Sequence, residues 1–443
     1  MKARRTFIRS AVALAATAAL AGCSKSPASV SDTAASDASA ETIKVGVLHS
    51  LSGTMAISET TLKDTVLMLI EAQNKAGGVL GRKLEAVVVD PASDWPLFAT
   101  KAEQLLVQDK VAVVFGCWTS VSRKSVLPVF EQNNGLLFYP VQYEGEESSK
   151  NVFYTGAAPN QQAIPAVDYL MNEVGVKRWV LEGTDYVYPR TTNKILEAYL
   201  LAKGVAPADI SINYTPFGHA DWQTRVADIK KFGSAGKKTA VVSTVNGDAN
   251  VPFYKELGAQ NISAEDIPVV AFSVGEEELS GLDTSPLVGH LAAWNYFQSI
   301  ENPLNSEWIA KWHAFTKNDK RTFNDPMEAT VLGFQLWVKA VEAAGTTDTD
   351  PVADAIIGLE VPNLTGVGMA KMLPNHHLTK PVLIGEVRAD GQFDTVWQTP
   401  DAVPGDAWTD FLPGSKDTEA DWVDLKCGNY NKVSKTCSGQ NYE

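Results

Sequence analysis

The sequence predicts an α/β fold of two doubly wound parallel-sheet lobes that face each other across a hinged cleft. Short apolar runs alternate with helix-period stretches from about residue 43 to residue 272, the pattern of strands joined by crossover helices. The alternation comes in two blocks of similar size, without sequence repetition between them. Strands in both blocks end in polar and aromatic loops, and ligands of open parallel sheets sit just beyond the carboxyl ends of strands. At 443 residues the chain also exceeds one ordinary core.

Composition narrows the class. Apolar residues make up 45% and charged residues 20%, as in a folded soluble body. The net charge of -14 argues against nucleic acid or an anionic membrane surface as partner, because nothing offsets phosphate repulsion. The 4 cysteines divide three ways. Cys23 belongs to the leader, Cys117 stands alone at a strand end, and Cys427 and Cys437 lie in a polar tail. A short-loop disulfide between Cys427 and Cys437 is expected in an oxidising compartment. No cofactor or metal site is expected: there is no Walker motif, dinucleotide fingerprint or zinc-finger spacing. The adjacent His376 and His377 diverge on any regular element.

Lys2, Arg4, Arg5 and Arg9 precede an apolar run at 11–22. The run is too short to span a bilayer, which takes about 20 residues, and it matches a secretory leader. Leu20-Ala21-Gly22-Cys23 resembles the bacterial lipobox, so residues 1–22 are expected to be removed and Cys23 lipidated. Arg4-Arg5-Thr6-Phe7-Ile8 resembles a twin-arginine signal, which leaves the export route open. Residues 23–41, mostly Ser and Ala, read as a flexible tether. The expected product is an exported, periplasmic, monomeric protein held to the membrane through Cys23.

The folded body then follows in order. Ile43 to His49 reads as a strand, and Glu59 to Ala76 as a helix with Leu62, Val66, Leu69 and Ile70 at helical spacing. Gly77 to Arg82 is a turn and Lys83 to Val89 the next strand. Pro96 opens a helix to about Asp109, proline being favoured in a first turn. Val111 to Phe115 and Gly135 to Tyr139 are strands around a helix at Ser120 to Gln132. In the second block, helices at Ile164–Glu173, Thr191–Lys203, Ala220–Phe232 and Ala249–Leu257 alternate with strands at Lys177–Leu181, Ile210–Thr215, Thr239–Thr244 and Ile267–Phe272. Helical patterns at Ser306–Lys317 and Pro326–Ala344 are expected to return to the first lobe, before a hairpin of Val382–Glu386 and Asp394–Gln398. The last stretch reads as irregular. These elements give a first lobe of 42–160 and 293–378 and a second of 161–292 and 379–443.

Specific segments carry a resemblance. They are Ile43 to Gly53, Gly77-Gly78-Val79-Leu80-Gly81-Arg82, Asp90 to Pro96, Phe115 to Ser120, Tyr139 to Gly145, Gly183 to Arg190, Asn246-Gly247-Asp248 and Phe272 to Glu277. Together they resemble the branched-chain amino-acid and amide class of type I periplasmic binding proteins, the receptors of ABC transporters, and within it the urea-binding members. The resemblance covers about residues 42–400 and does not extend to the tail. It implies a type I periplasmic-binding-protein fold and a receptor, not an enzyme, that delivers urea or a short aliphatic amide to a membrane permease. A branched-chain amino acid is the alternative ligand. The Trp118 and Gln142-Tyr143 loops differ from the Ser- and Ala-rich loops of leucine receptors.

Urea is a plane with N–H donors round its edge and one strong acceptor. Its site should supply acceptors, one or two donors, and flat rings. Asp248, Glu276 and the Gln142 carbonyl are candidate acceptors, Thr119 a candidate donor, and Trp118, Tyr143 and Tyr186 candidate faces. Asp94, before Trp95, is a candidate cleft wall. Bland readings stand beside these: Asp248 as a helix cap, Glu276 as a solvated acid, Asp94 at the start of a helix, and Tyr188 in place of Tyr186. A hydrolase using Cys117 as nucleophile is the reading from another class.

Overall fold

In the computed structural model the residues described are 42–280, 282–421 and 427–441. The leader, Cys23 and the tether lie outside them. A five-stranded parallel sheet opens the fold. It comprises β1 (Ile43–Leu48), β2 (Leu84–Val89), β3 (Val113–Gly116), β4 (Leu137–Tyr139) and β5 (Val152–Tyr154), in the order β2-β1-β3-β4-β5. Helices α1 (Ala56–Lys75), α2 (Trp95–Glu103) and α3 (Ser120–Gln132) make the crossovers. The helix expected to reach Asp109 ends earlier, in a π-helical turn at Gln104–Gln108. Strand β5 was not anticipated: a three-residue run carries too little periodicity to be seen.

The second sheet has seven strands in the order β15-β14-β10-β9-β8-β6-β7. Its parallel part is β6 (Arg178–Thr184), β7 (Ile210–Thr215), β8 (Thr239–Thr244), β9 (Val269–Ala271) and β10 (Leu291–Trp294). Helices α4 (Ala163–Tyr169), α5 (Val187–Ala202), α6 (Gln223–Gly233), α7 (Asn250–Ala259) and the short α8 (Glu276–Leu279) accompany it. Both faces are covered. Val180, Val241 and Val269 enter one core, while Trp179, Leu181, Ala240, Val242 and Val270 enter another.

After β10 the chain returns to the first sheet. Helices α9 (Pro303–Thr316), α10 (Asp325–Ala344) and α11 (Thr349–Ile356) place Trp312, Leu332, Trp337 and Ile356 in the same core as Val45, Phe115 and Phe138. Small ladders follow: β11 (Glu360–Pro362) with β12 (Met369–Lys371), and β13 (Thr379–Lys380) with β16 (Val403–Pro404). Between these last two, β14 (Leu383–Val387) and β15 (Phe393–Gln398) extend the second sheet as the expected hairpin.

The chain thus passes between sheets after β5, after β10 and after β13, and one side chain ties all three passages. The Asn295 Nδ2 donates to the carbonyls of Gln161 (3.0 Å) and Pro381 (2.7 Å). The Asn295 backbone N–H donates to Asp325 Oδ2 at 2.8 Å.

The tail, expected to be irregular, forms a three-stranded antiparallel sheet of β17 (Thr418–Asp421), β18 (Cys427–Asn431) and β19 (Thr436–Asn441). Its strands are polar, so no apolar alternation announced them. Cys437 is disulfide-bonded. The side chain of Cys427, its expected partner, lies outside the described residues.

Candidate functional site

The site forms where the carboxyl ends of the two sheets meet. Ser50, Trp118, Tyr186, Asn246 and Ser273 each stand two residues beyond the end of a strand, β1, β3, β6, β8 and β9 respectively. A chain leaving a parallel strand there turns toward the crossover helix and can point a side chain over the sheet edge. At β3 the turn is made by Cys117, whose φ of +67° lies in the left-handed region that a side chain rarely adopts. That backbone swings Trp118 out of the sheet, and Trp118 is almost fully buried against the opposite lobe.

Polar side chains bridge the two halves directly. Trp118 Nε1 donates to Asn246 Oδ1 at 3.4 Å. Gln142 Nε2 donates to Ser273 Oγ at 2.7 Å. Ser58 Oγ, in the first turn of α1, donates to Glu278 Oε1 at 2.6 Å. The Asp248 backbone N–H donates to the Thr54 carbonyl at 3.2 Å. Beside the Gln142–Ser273 bridge two buried polar atoms lack a hydrogen-bond partner, Gln142 Oε1 and the Tyr188 hydroxyl. The Tyr188 hydroxyl is within side-chain hydrogen-bonding reach of both Gln142 and Ser273, though poorly aligned with either. The Gln142 amide and the Tyr188 hydroxyl thus face each other across the interface, beside Ser273.

The structure places Gln142 on Ser273 and Trp118 on Asn246, both across the interface, and gives the other expected residues different surroundings. Tyr186 lies at the cleft with its ring centroid 4.8 Å from that of Phe217, and it packs with Tyr188 and Val121. Thr119 caps α3: its Oγ1 accepts from the Ser122 N–H at 3.1 Å. Asp94 caps α2, accepting from the Leu97 N–H at 2.8 Å, while its neighbour Trp95 reaches Phe217 of the second lobe. Asp248 is exposed and joins the interface through its backbone. Glu276, read as an acceptor or a solvated acid, is buried, and accepts from the Gln298 N–H at 2.7 Å. Burial pushes its carboxyl up to about 8, with Asp325 and Glu278 adding repulsion.

Tyr143 belongs to the first lobe's interior. Its hydroxyl pairs with His377 Nε2 at 2.6 Å, and its ring lies under the Arg123 guanidinium at 4.7 Å. Arg123 is buried and bonds Glu144 at 2.9 Å and Glu147 at 2.7 Å. Burial alone would raise Glu147, but Arg123 and Lys124 hold it well below the usual carboxylate range. Ser120, bonded to Glu144, links this network to the start of α3, beside Trp118. The network supports the site and leaves Arg123 committed to its two carboxylates.

Asn246, Ser273, Ser58 and Glu278 were not singled out from the sequence, and Tyr188 stood only as the alternative to Tyr186. Asn246 and Ser273 sat in the right loops, but the charged Asp248 and Glu276 nearby drew the assignment. For Asn246 and Ser273, position two residues past a strand end was the signal for their place at the interface. The hydrolase reading meets an obstacle in Cys117. Its thiol is fully buried, and burial together with the Glu59 charge pushes it up, the reverse of an activated nucleophile. His49, a possible base, pairs instead with Glu59 at 3.3 Å.

Residues 43–414 match the family model described as periplasmic binding protein domain. The chain is 24% identical over 350 residues to Leu/Ile/Val-binding protein homolog 3 of Brucella melitensis biotype 1, covering 76% of this chain and 89% of that one. A shorter match, 28% identical, joins 26% of this chain to 21% of a limonene hydroxylase of Geobacillus stearothermophilus. Among solved structures, a solute binding protein of an ABC transporter from Rhodopseudomonas palustris HaA2, in complex with p-hydroxybenzoic acid, superimposes with a TM-score of 0.71. It is 20% identical, and the match covers 82% of this chain and 98% of that chain.

Proposed function

We propose that this chain, which belongs to the periplasmic binding protein family, is an exported receptor that binds urea between its lobes and hands it to an ABC permease. The observation that carries this reading is the pair of unpartnered atoms flanking the Gln142–Ser273 bridge, an amide oxygen and a phenol hydroxyl. Each buried polar group left unpaired costs about 1–3 kcal/mol, so a ligand that satisfies both gains that amount. Urea offers an N–H to Gln142 Oε1 and its oxygen to the Tyr188 hydroxyl. The ring of Trp118 supplies a flat wall. An anionic ligand would need a cation here, and Arg123 is already taken by Glu144 and Glu147. Cys23 would tether the receptor close to its permease.

A second reading takes its support from the relatives. One is named a Leu/Ile/Val-binding protein, and one solved neighbour holds an aromatic acid. Isothermal titration of the mature body with urea, acetamide, leucine and p-hydroxybenzoate separates the readings. Saturable heat with urea, and none with leucine or p-hydroxybenzoate, is expected. Heat with acetamide alone would keep the neutral amide site and change its ligand. Heat with leucine or p-hydroxybenzoate and not urea would overturn the urea reading.

A further inference from the structure

The segment that leads from β16 to β17 touches both lobes. On the first lobe it is fixed by Glu146, in the loop after β4. The Glu146 backbone N–H donates to the Ala407 carbonyl at 2.7 Å. Its buried carboxylate accepts from Ser415 Oγ at 2.6 Å on one oxygen and from Thr418 Oγ1 at 2.9 Å on the other. On the second lobe, the Phe411 ring meets the Tyr199 ring of α5 edge-on, with centroids 4.8 Å apart.

Ala420 then reaches the mouth of the cleft. It is 1% exposed and packs in one apolar cluster with Val121 of α3, from the first lobe, and Tyr186, Val187 and Tyr188 from the second. The Lys432 N–H donates to the Asp417 carbonyl at 2.8 Å and so joins this stretch to the terminal sheet. Residues 415–420 lie beyond the end of the family match at 414.

We propose that residues 405–420 form a strap that holds the two lobes in the closed arrangement and sets the rate of ligand exchange. The exchange part rests on the cleft reading given above; the strap itself does not. Hinge opening separates Val121 from Tyr186 and Tyr188. Ala420 cannot follow both, and a chain fixed to Glu146 on one side and Tyr199 on the other resists the separation. The Ala420 packing spans both lobes and is lost when they part, so it biases the equilibrium toward closure.

The test uses two variants of the mature body. S415A/T418V removes both hydroxyl donors to Glu146 and loosens the strap's hold on the first lobe. F411A loosens its hold on the second and removes a side chain that is only half-buried, which keeps the test open should the first variant fail to fold. Spin labels at V88C and V288C, on exposed positions of opposite lobes, report the interlobe distance in ligand-free protein. The parent is expected to give one short, narrow distribution, and each folded variant a longer, broader one. Urea release, followed by stopped flow, should accelerate on the order of tenfold, a usual size for such coupling. Unchanged distance distributions in the folded variants would overturn the strap, whatever ligand the cleft binds. Altered distributions with no urea binding in the parent would keep the strap and remove the urea reading.

Discussion

Gln142 and Ser273, from opposite lobes, share a 2.7 Å hydrogen bond, and the other oxygen-bearing end of the same amide, Gln142 Oε1, is left buried and unpaired. One side chain thus latches the lobes with its nitrogen, and on the proposed reading its oxygen receives the ligand, which would couple closure to recognition in a single group.

Gln142→Leu removes both functions at little change in volume. Urea affinity should fall by about 1–3 kcal/mol, the cost of an unmade buried hydrogen bond, with the fold retained. Titration calorimetry beside circular dichroism checks this. Undiminished affinity would place the ligand elsewhere.

Tyr188→Phe deletes only the free hydroxyl. Its ring stays in the cluster with Tyr186 and Val121. Affinity for urea should drop by about 0.5–1.5 kcal/mol, and thermal stability should hold or rise, because an unsatisfied buried group has been removed. Tyr186→Phe is the control and should bind as the parent does.

Arg123→Met tests the buried network. It leaves Glu144 and Glu147 buried without their counter-charge, which should cost about 3–5 kcal/mol. Urea or guanidinium denaturation reads the loss; guanidinium is preferable, since urea is the proposed ligand. A change below 1 kcal/mol, read against that same scale, would mean that the carboxylates find other partners.

Stability should also depend on pH through Glu276. Burial raises its carboxyl to about 8 in the folded chain, from about 4.5 when unfolded. The folded state therefore binds the proton more tightly, and its stability is greatest below the unfolded value. It declines as pH rises through the window from about 4.5 to about 8. Glu278, raised to about 6, and Glu328, raised to about 7, act in the same direction. Glu276→Gln should flatten the decline, measured by guanidinium denaturation at pH 6 and pH 9. An equally steep decline in the variant would assign it to the other acids.

Much of the architecture could be read in the sequence because it is written locally. Val45, Val47, Val113 and Phe115 are apolar and β-branched or aromatic in runs short enough for buried strands. Asp94 and Thr119 show how a local role can pass for a ligand role: each sits one residue before a helix and is consumed as its cap. Tyr143 shows the opposite limit. Its partner His377 lies 234 residues away, and no local pattern connects them. For Glu276 the solvated reading fails, because an acidic run looks solvated until tertiary packing buries it. The strap escaped notice because Glu146 holds it through hydroxyls more than 260 residues distant.

The most direct test of the proposed site is a crystal structure of the mature body, from residue 42, grown with urea. The account predicts urea between the lobes, with an N–H on Gln142 Oε1 and its oxygen on the Tyr188 hydroxyl. Urea bound away from both atoms, or a cleft that closes without it at saturating concentration, would contradict the account.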